Sequence, residues 1–173
     1  NYFPRLSKQG LYDPRFEHDA CGVGMVANIK GIASHSIIEL GLENLCSLAH
    51  RGAVGADPET GDGAGLLIQM PHEFFKHRTS DLNIPLPNKG SYAVGMIFLP
   101  RDNESRSQIQ TAIEKLVTEN GLITLGWRDV PVNSNSIGIL SRSVMPFIRQ
   151  IFIGIDESRA EKAKFELILY MTR

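Results

Sequence analysis

Two stretches of this chain place small and apolar residues at a spacing that only a helix gathers onto one face. Both stand among apolar runs of strand length, and that combination limits the folds open to the chain. In HSIIELGLENLCSLAHRG the helical period is followed by Ile37, Leu40, Gly41, Asn44, Leu45 and Leu48. Ser36, with Glu39 three residues on, makes a capping box, and Gly52 is the expected stop. A second helix is expected from about Ser105 to Asn120. Its stripe is Ile109, Ala112, Ile113, Leu116 and Val117, and Asn120-Gly121 reads as its C-cap turn.

Around these helices, CGVGMVANI (Cys21 to Ile29) reads as a buried strand in which Gly22 and Gly24 would admit a close neighbour. LLIQM, SYAVGMIFLP, LITLGW, SIGIL, QIFIGI and ELILYM are further strand candidates. ADPETGDGAG is turn chemistry throughout. HEFFKH reads as a short helical or irregular stretch with Phe74 and Phe75 packed inward, dissolving into the loop NIPLPNKG. Strand and helix do not alternate strictly, so a doubly wound parallel sheet is not favoured. Layers of sheet flanked by helix are expected.

Composition narrows the function classes. The 173 residues suffice for one domain with a hydrophobic core. Lys plus Arg number 18 against 19 Asp plus Glu, and the bases are scattered, which excludes the footprint of a nucleic-acid binder. No apolar run approaches membrane-span length, and residues 1–20 hold no secretory apolar block. Two cysteines, Cys21 and Cys46, form no disulfide framework, so a cytoplasmic setting is expected.

Several motifs fail on spacing. His72 and His77 are five apart, whereas a zinc-protease helix needs i and i+4 to bring both imidazoles to one face. GVGMVANIKG misses the dinucleotide fingerprint, and TGDGAG lacks the Gly-Lys-Ser/Thr ending of a phosphate loop. Cys46, between Leu45 and Leu48, reads as a buried, inert thiol. Cys21 stands where a polar leader meets an apolar run. Local sequence leaves it open as a core residue, a reactive thiol, or a nucleophile awaiting removal of the residues before it.

GLYDPRFEHDACGVG, LAHRGAVGADPETGDGAG and LGWRDVPVN, in that order and over essentially the whole chain, resemble the amino-terminal region of glutamate synthase large subunits. That region is a class II, N-terminal-nucleophile glutamine amidotransferase domain. The resemblance implies an α+β fold of the αββα sandwich type, with residues 21–173 forming its first part and Asn1 to Ala20 a propeptide-like leader. Cleavage between Ala20 and Cys21 would make Cys21 the catalytic nucleophile. Arg51, Gly52 and Asp62 would bind or position substrate. The family's oxyanion-hole Asn-Gly pair, and the groups that hold glutamine's α-substituents, come from further along the domain.

The implied chemistry is hydrolysis of L-glutamine and delivery of ammonia to 2-oxoglutarate for glutamate synthesis. FMN and an iron–sulfur cluster are implied for the complete enzyme and no cofactor or metal for this segment. The implied partners are the remaining domains of the large subunit and a small reductase subunit. Uncut, the chain is expected to be inactive, because the nitrogen of Cys21 is then an amide and not a basic amine. Two alternatives stay open: another N-terminal-cysteine amide hydrolase, and a non-catalytic interaction domain that keeps its leader.

Overall fold

A computed structural model describes residues 22–49, 52, 57, 59–61, 63–155 and 164–173. The chain divides into two compact units, Asn1–Ile68 and Gln69–Arg173. In the first, the expected helix is present as α1 (His35–Ser47). Its N-cap is Ser34 in extended backbone, and Ser36 lies inside the helix with its hydroxyl 2.7 Å from that of Ser34. The expected capping box is therefore absent. The helix also ends before Gly52, at a cap on Leu48 whose N–H donates to the carbonyls of Asn44 and Leu45.

The covered face of α1 holds Ile37, Gly41, Asn44, Leu45 and Leu48, as the period requires, whereas Leu40 is exposed. Two glycines set close approaches to this helix. A Cβ on Gly41 would lie 2.9 Å from Leu66 Cδ1, and one on Gly24 would overlap the Asn44 carboxamide. Gly24 thus serves the close contact foreseen for it, but not within a strand. Gly22–Asn28 and Leu66–Met70 form no ladder, and Val23 (93%), Met25 (88%) and Leu67 (99%) are exposed. A strand needs a neighbour to satisfy its peptide groups, and the described residues offer these runs none.

The second unit is built on a three-stranded antiparallel sheet of order β1-β3-β2: β1 (Tyr92–Leu99), β2 (Leu122–Asp129) and β3 (Phe147–Ile155). β1 and β2 both run against β3 and are joined by α3 (Asn103–Glu119), so the last strand in sequence sits in the middle. Asp102 caps α3, its Oδ2 accepting from Ser105 N–H at 2.7 Å. Asn120 and Gly121 end the helix as expected, with Gly121 at φ +75° in the left-handed conformation glycine favours.

Period-two alternation along β3 sorts its side chains to two faces. Ile151 and Ile153 meet Val117 of α3, Leu122 and Phe165 on one side, with Ala93, Ile97, Ile113 and Trp127 around them. Trp127 Nε1–H donates to Glu114 Oε1 at 2.7 Å, tying α3 to β2. On the other side Phe152, fully buried, meets Phe75 edge-on at 5.4 Å between ring centroids. Phe75 belongs to α2 (His72–Ser80), the short helix read at HEFFKH. Its neighbour Phe74 points outward and is exposed, contrary to expectation, because adjacent residues on a helix diverge by about 100°.

Two strand candidates are helices. SIGIL spans a 3-10 turn (Ser134–Ser136) and the start of α4 (Ile139–Val144). Arg101 donates to the carbonyls of Arg142 and of Met145, the latter at 2.7 Å, satisfying the end of α4 from more than 40 residues away. ELILYM lies in α5 (Phe165–Thr172), which sets Phe165, Ile168 and Leu169 against the core. The molecule is thus a mixed helix-and-sheet protein, as expected. One sheet is present among the described residues, and a second sheet of the αββα type is not among them.

Candidate active site

The turn foreseen at ADPETGDGAG is built from its aspartate. Asp57 accepts from Glu59 N–H at 3.1 Å through Oδ1 and from the Thr60 hydroxyl at 2.9 Å through Oδ2. Thr60 N–H also closes on the Asp57 carbonyl at 2.9 Å. An aspartate bonding the backbone two residues on is the arrangement that fixes such turns. Beyond it, a Cβ on Gly63 or Gly65 would meet no atom within 4 Å, so crowding by described neighbours does not account for these glycines.

Of the residues expected to bind or act, Gly52 is described: it is exposed, and its N–H donates to the Ala49 carbonyl at 3.1 Å. Ala20, Cys21, Arg51 and Asp62 lie outside the described residues, as does the leader Asn1 to Ala20. In sequence Cys21, Arg51 and Asp62 each adjoin a described glycine, namely Gly22, Gly52, and Gly61 with Gly63. Helix α1 lies between Cys21 and Arg51 in sequence.

Cys46, expected to be buried, is exposed on α1. The reason is angular. It follows buried Gly41 by five residues, which turns it about 140° away from the covered face. In the second unit a polar pair that no sequence pattern indicates joins His72 and Tyr92, the imidazole Nδ1 lying 3.0 Å from the phenol oxygen. Burial, and then the nearby Glu73 carboxylate, push the Tyr92 phenol above its ordinary value, so it stays neutral and hydrogen-bonded. Among the described residues no three His, Cys, Asp or Glu side chains stand together to hold a metal ion, and no helix is long and apolar enough to cross a membrane.

Comparison with known proteins adds what the described geometry lacks. Residues 21–173 match the family of class-II glutamine amidotransferases. Over 173 residues the chain is 47% identical to "Glutamate synthase [NADPH] large chain" of Bacillus subtilis (strain 168), covering 100% of this chain and 11% of that protein. It is 42% identical over 175 residues to "Glutamate synthase [NADH]" of Saccharomyces cerevisiae, covering 96% of this chain and 8% of that one. "Ferredoxin-dependent glutamate synthase 2" of Synechocystis sp. is 39% identical over 144 residues, covering 83% and 9%. The chain therefore spans about a tenth of the length of the curated relatives it matches.

Proposed function

Because the chain belongs to the class-II glutamine amidotransferases, we propose that it is the glutaminase part of a glutamate synthase, acting on L-glutamine through Cys21. The observation that carries this reading is that the family match begins at Cys21, with the twenty preceding residues outside it. The relatives' names add support. They specify NADPH, NADH and ferredoxin in turn, yet all share this region. What the region has in common is then independent of the electron donor, as glutamine hydrolysis is.

Removal of Asn1 to Ala20 would free the α-amino group of Cys21. Such amines titrate near 7.7–8.0 and free thiols near 8.5, so the neutral amine can take the thiol proton at cellular pH. The thiolate attacks the side-chain amide carbon of glutamine, the C–N bond breaks, and nitrogen leaves as ammonia with the transferred proton. Water then cleaves the γ-glutamyl thioester to glutamate and restores the thiol. Arg51 and Asp62 would position substrate beside Cys21, with Gly52 leaving room next to Arg51. The complete domain would adopt the αββα sandwich, in which the Gly22–Asn28 and Leu66–Met70 runs find strand partners.

In the complete enzyme the ammonia would meet 2-oxoglutarate at a second site in other domains of the large subunit, in the cytoplasm, with a small reductase subunit as partner. FMN would supply the reducing chemistry there. An iron–sulfur cluster of the usual kind takes four thiolates, and this sequence has two cysteines. The glutaminase step uses neither group.

The test is the intact mass and N-terminal residue of the protein at its natural length, followed by glutamine turnover. A chain beginning at Cys21 is expected. Cys21→Ser should abolish glutamine-dependent glutamate synthesis while synthesis from added ammonia survives. Parallel loss of both activities in a folded variant, or an active enzyme still carrying Asn1 to Ala20, would sink the assignment.

A further inference from the structure

The sheet face beneath α2 is covered over only part of its length. Phe75 and Ile84 lie on Phe152, with Val94 packed beside them. Beyond that row the same face continues through Met96, Gln150 and Arg128, and then through Phe98 and Ile148. An antiparallel face left to water carries polar side chains at such alternate positions. Here they are largely apolar, and Met96 and Phe98 are 49% and 65% exposed.

At the rim of this patch stands exposed Phe74, with two guanidinium groups on its ring. Arg78 Cζ lies 5.6 Å and Arg128 Cζ 5.7 Å from the ring centroid. Arg128 is held in place by its Nη1–H, which donates to Oε1 of buried Gln150 at 2.8 Å. Among the described residues neither guanidinium has a carboxylate partner. Their charges are therefore oriented but not neutralised, beside a surface of Phe and Met. Arg, Phe and Met are the side chains that protein interfaces concentrate.

We propose that this patch of the second unit docks a further domain, lying outside these 173 residues, through a surface that sets a carboxylate between apolar side chains. Charge complementarity names the carboxylate and the open sheet rows name its apolar neighbours. The length of the relatives, about ten times the shared region, names the source. The proposal rests on the protein having such further polypeptide, and it is independent of the role of Cys21.

The protein at its natural length is made with the photoreactive amino acid benzoylphenylalanine in place of Phe98, illuminated, and its cross-linked peptides are sequenced by mass spectrometry. The expected product joins position 98 to a peptide outside residues 1–173 that contains Asp or Glu. Arg128→Glu should lower its yield at least about tenfold, the loss expected when a paired charge is reversed. Exchange of that acid for Lys in the same protein should restore it. If the probe at position 98 disturbs folding, the same probe at Met96 reads the same face. Capture of a neutral peptide, of a peptide within these 173 residues or of a second copy would overturn the proposal. So would the absence of any cross-link, or a yield indifferent to Arg128.

Discussion

Gly126 shows how much one missing atom can decide. A Cβ there would lie 2.7 Å from Ile84 Cγ1, in the layer that covers Phe152. Gly126→Ala should therefore destabilise the fold by about 1–3 kcal/mol, the usual cost of overpacking. In an Ile84→Ala background Gly126→Ala should cost less, because the two changes share one space. Urea unfolding of the four proteins of this cycle checks both statements, and simple additivity would show that the clash is not the cause. Asp102 offers a test by pH. The Ser105 backbone N–H, above all, holds its carboxyl below the ordinary aspartate value of about 3.9. A carboxyl depressed in the folded state stabilises the fold fully above its unfolded value, and that stability is lost as pH falls through the lower folded value. Asp102→Asn should thus narrow the stability difference from the parent below about pH 4. A difference unchanged between pH 6 and pH 3 would contradict the cap. Neither device was legible from sequence: Gly126 read as one residue of LITLGW, and the cap lay ahead of the expected helix start.

Helical period and strand-length apolar runs made most elements legible, whereas runs without a distinguishing pattern or partner were not. α3 follows the sequence reading because its apolar residues recur at spacings near three and four, and β1, β2 and β3 because they are short apolar runs of strand length. ELILYM is apolar on every side, so its helix cannot be distinguished from a buried strand by pattern. SIGIL became the start of α4, a helix whose end is satisfied by Arg101, a partner no local window contains. Composition marks the runs after Cys21 and Gly65 as strands, but a ladder requires a second strand. The proposed site rests on resemblance alone: no local rule singles out Cys21, Arg51 or Asp62 above other cysteines, arginines and aspartates. Hydrogen exchange examines the sheet directly. β3 is paired on both edges and buried along Gln150–Gly154, so its amides should be the slowest in the second unit. Faster exchange in β3 than in β1 or β2 would contradict the strand order.

For the whole molecule, the division at Ile68 and Gln69 makes a prediction about folding. The second unit carries fully buried Phe152 and Val117 and a helix layer on each sheet face, whereas Gly41 is the one buried residue described in the first. Residues 69–173 expressed alone should unfold in a single cooperative urea transition with dispersed amide resonances. A sloping, non-cooperative loss of signal would mean that the sheet needs polypeptide beyond it. The strand order has a consequence for synthesis as well. Among the described residues β1 and β2 are not neighbours, and each pairs with β3 alone. About 50 residues separate the end of β1 from the start of β3, so at about 5–20 residues per second β1 waits several seconds for its partner, while β2, only 17 residues ahead of β3, waits about 1–3 s. During that interval α3 can form, since its hydrogen bonds are local, but the sheet cannot. Assembly of this sheet awaits the last of its three strands to leave the ribosome, and until then the apolar side chains of β1 and β2 are open to whatever chaperone or neighbouring chain meets them first.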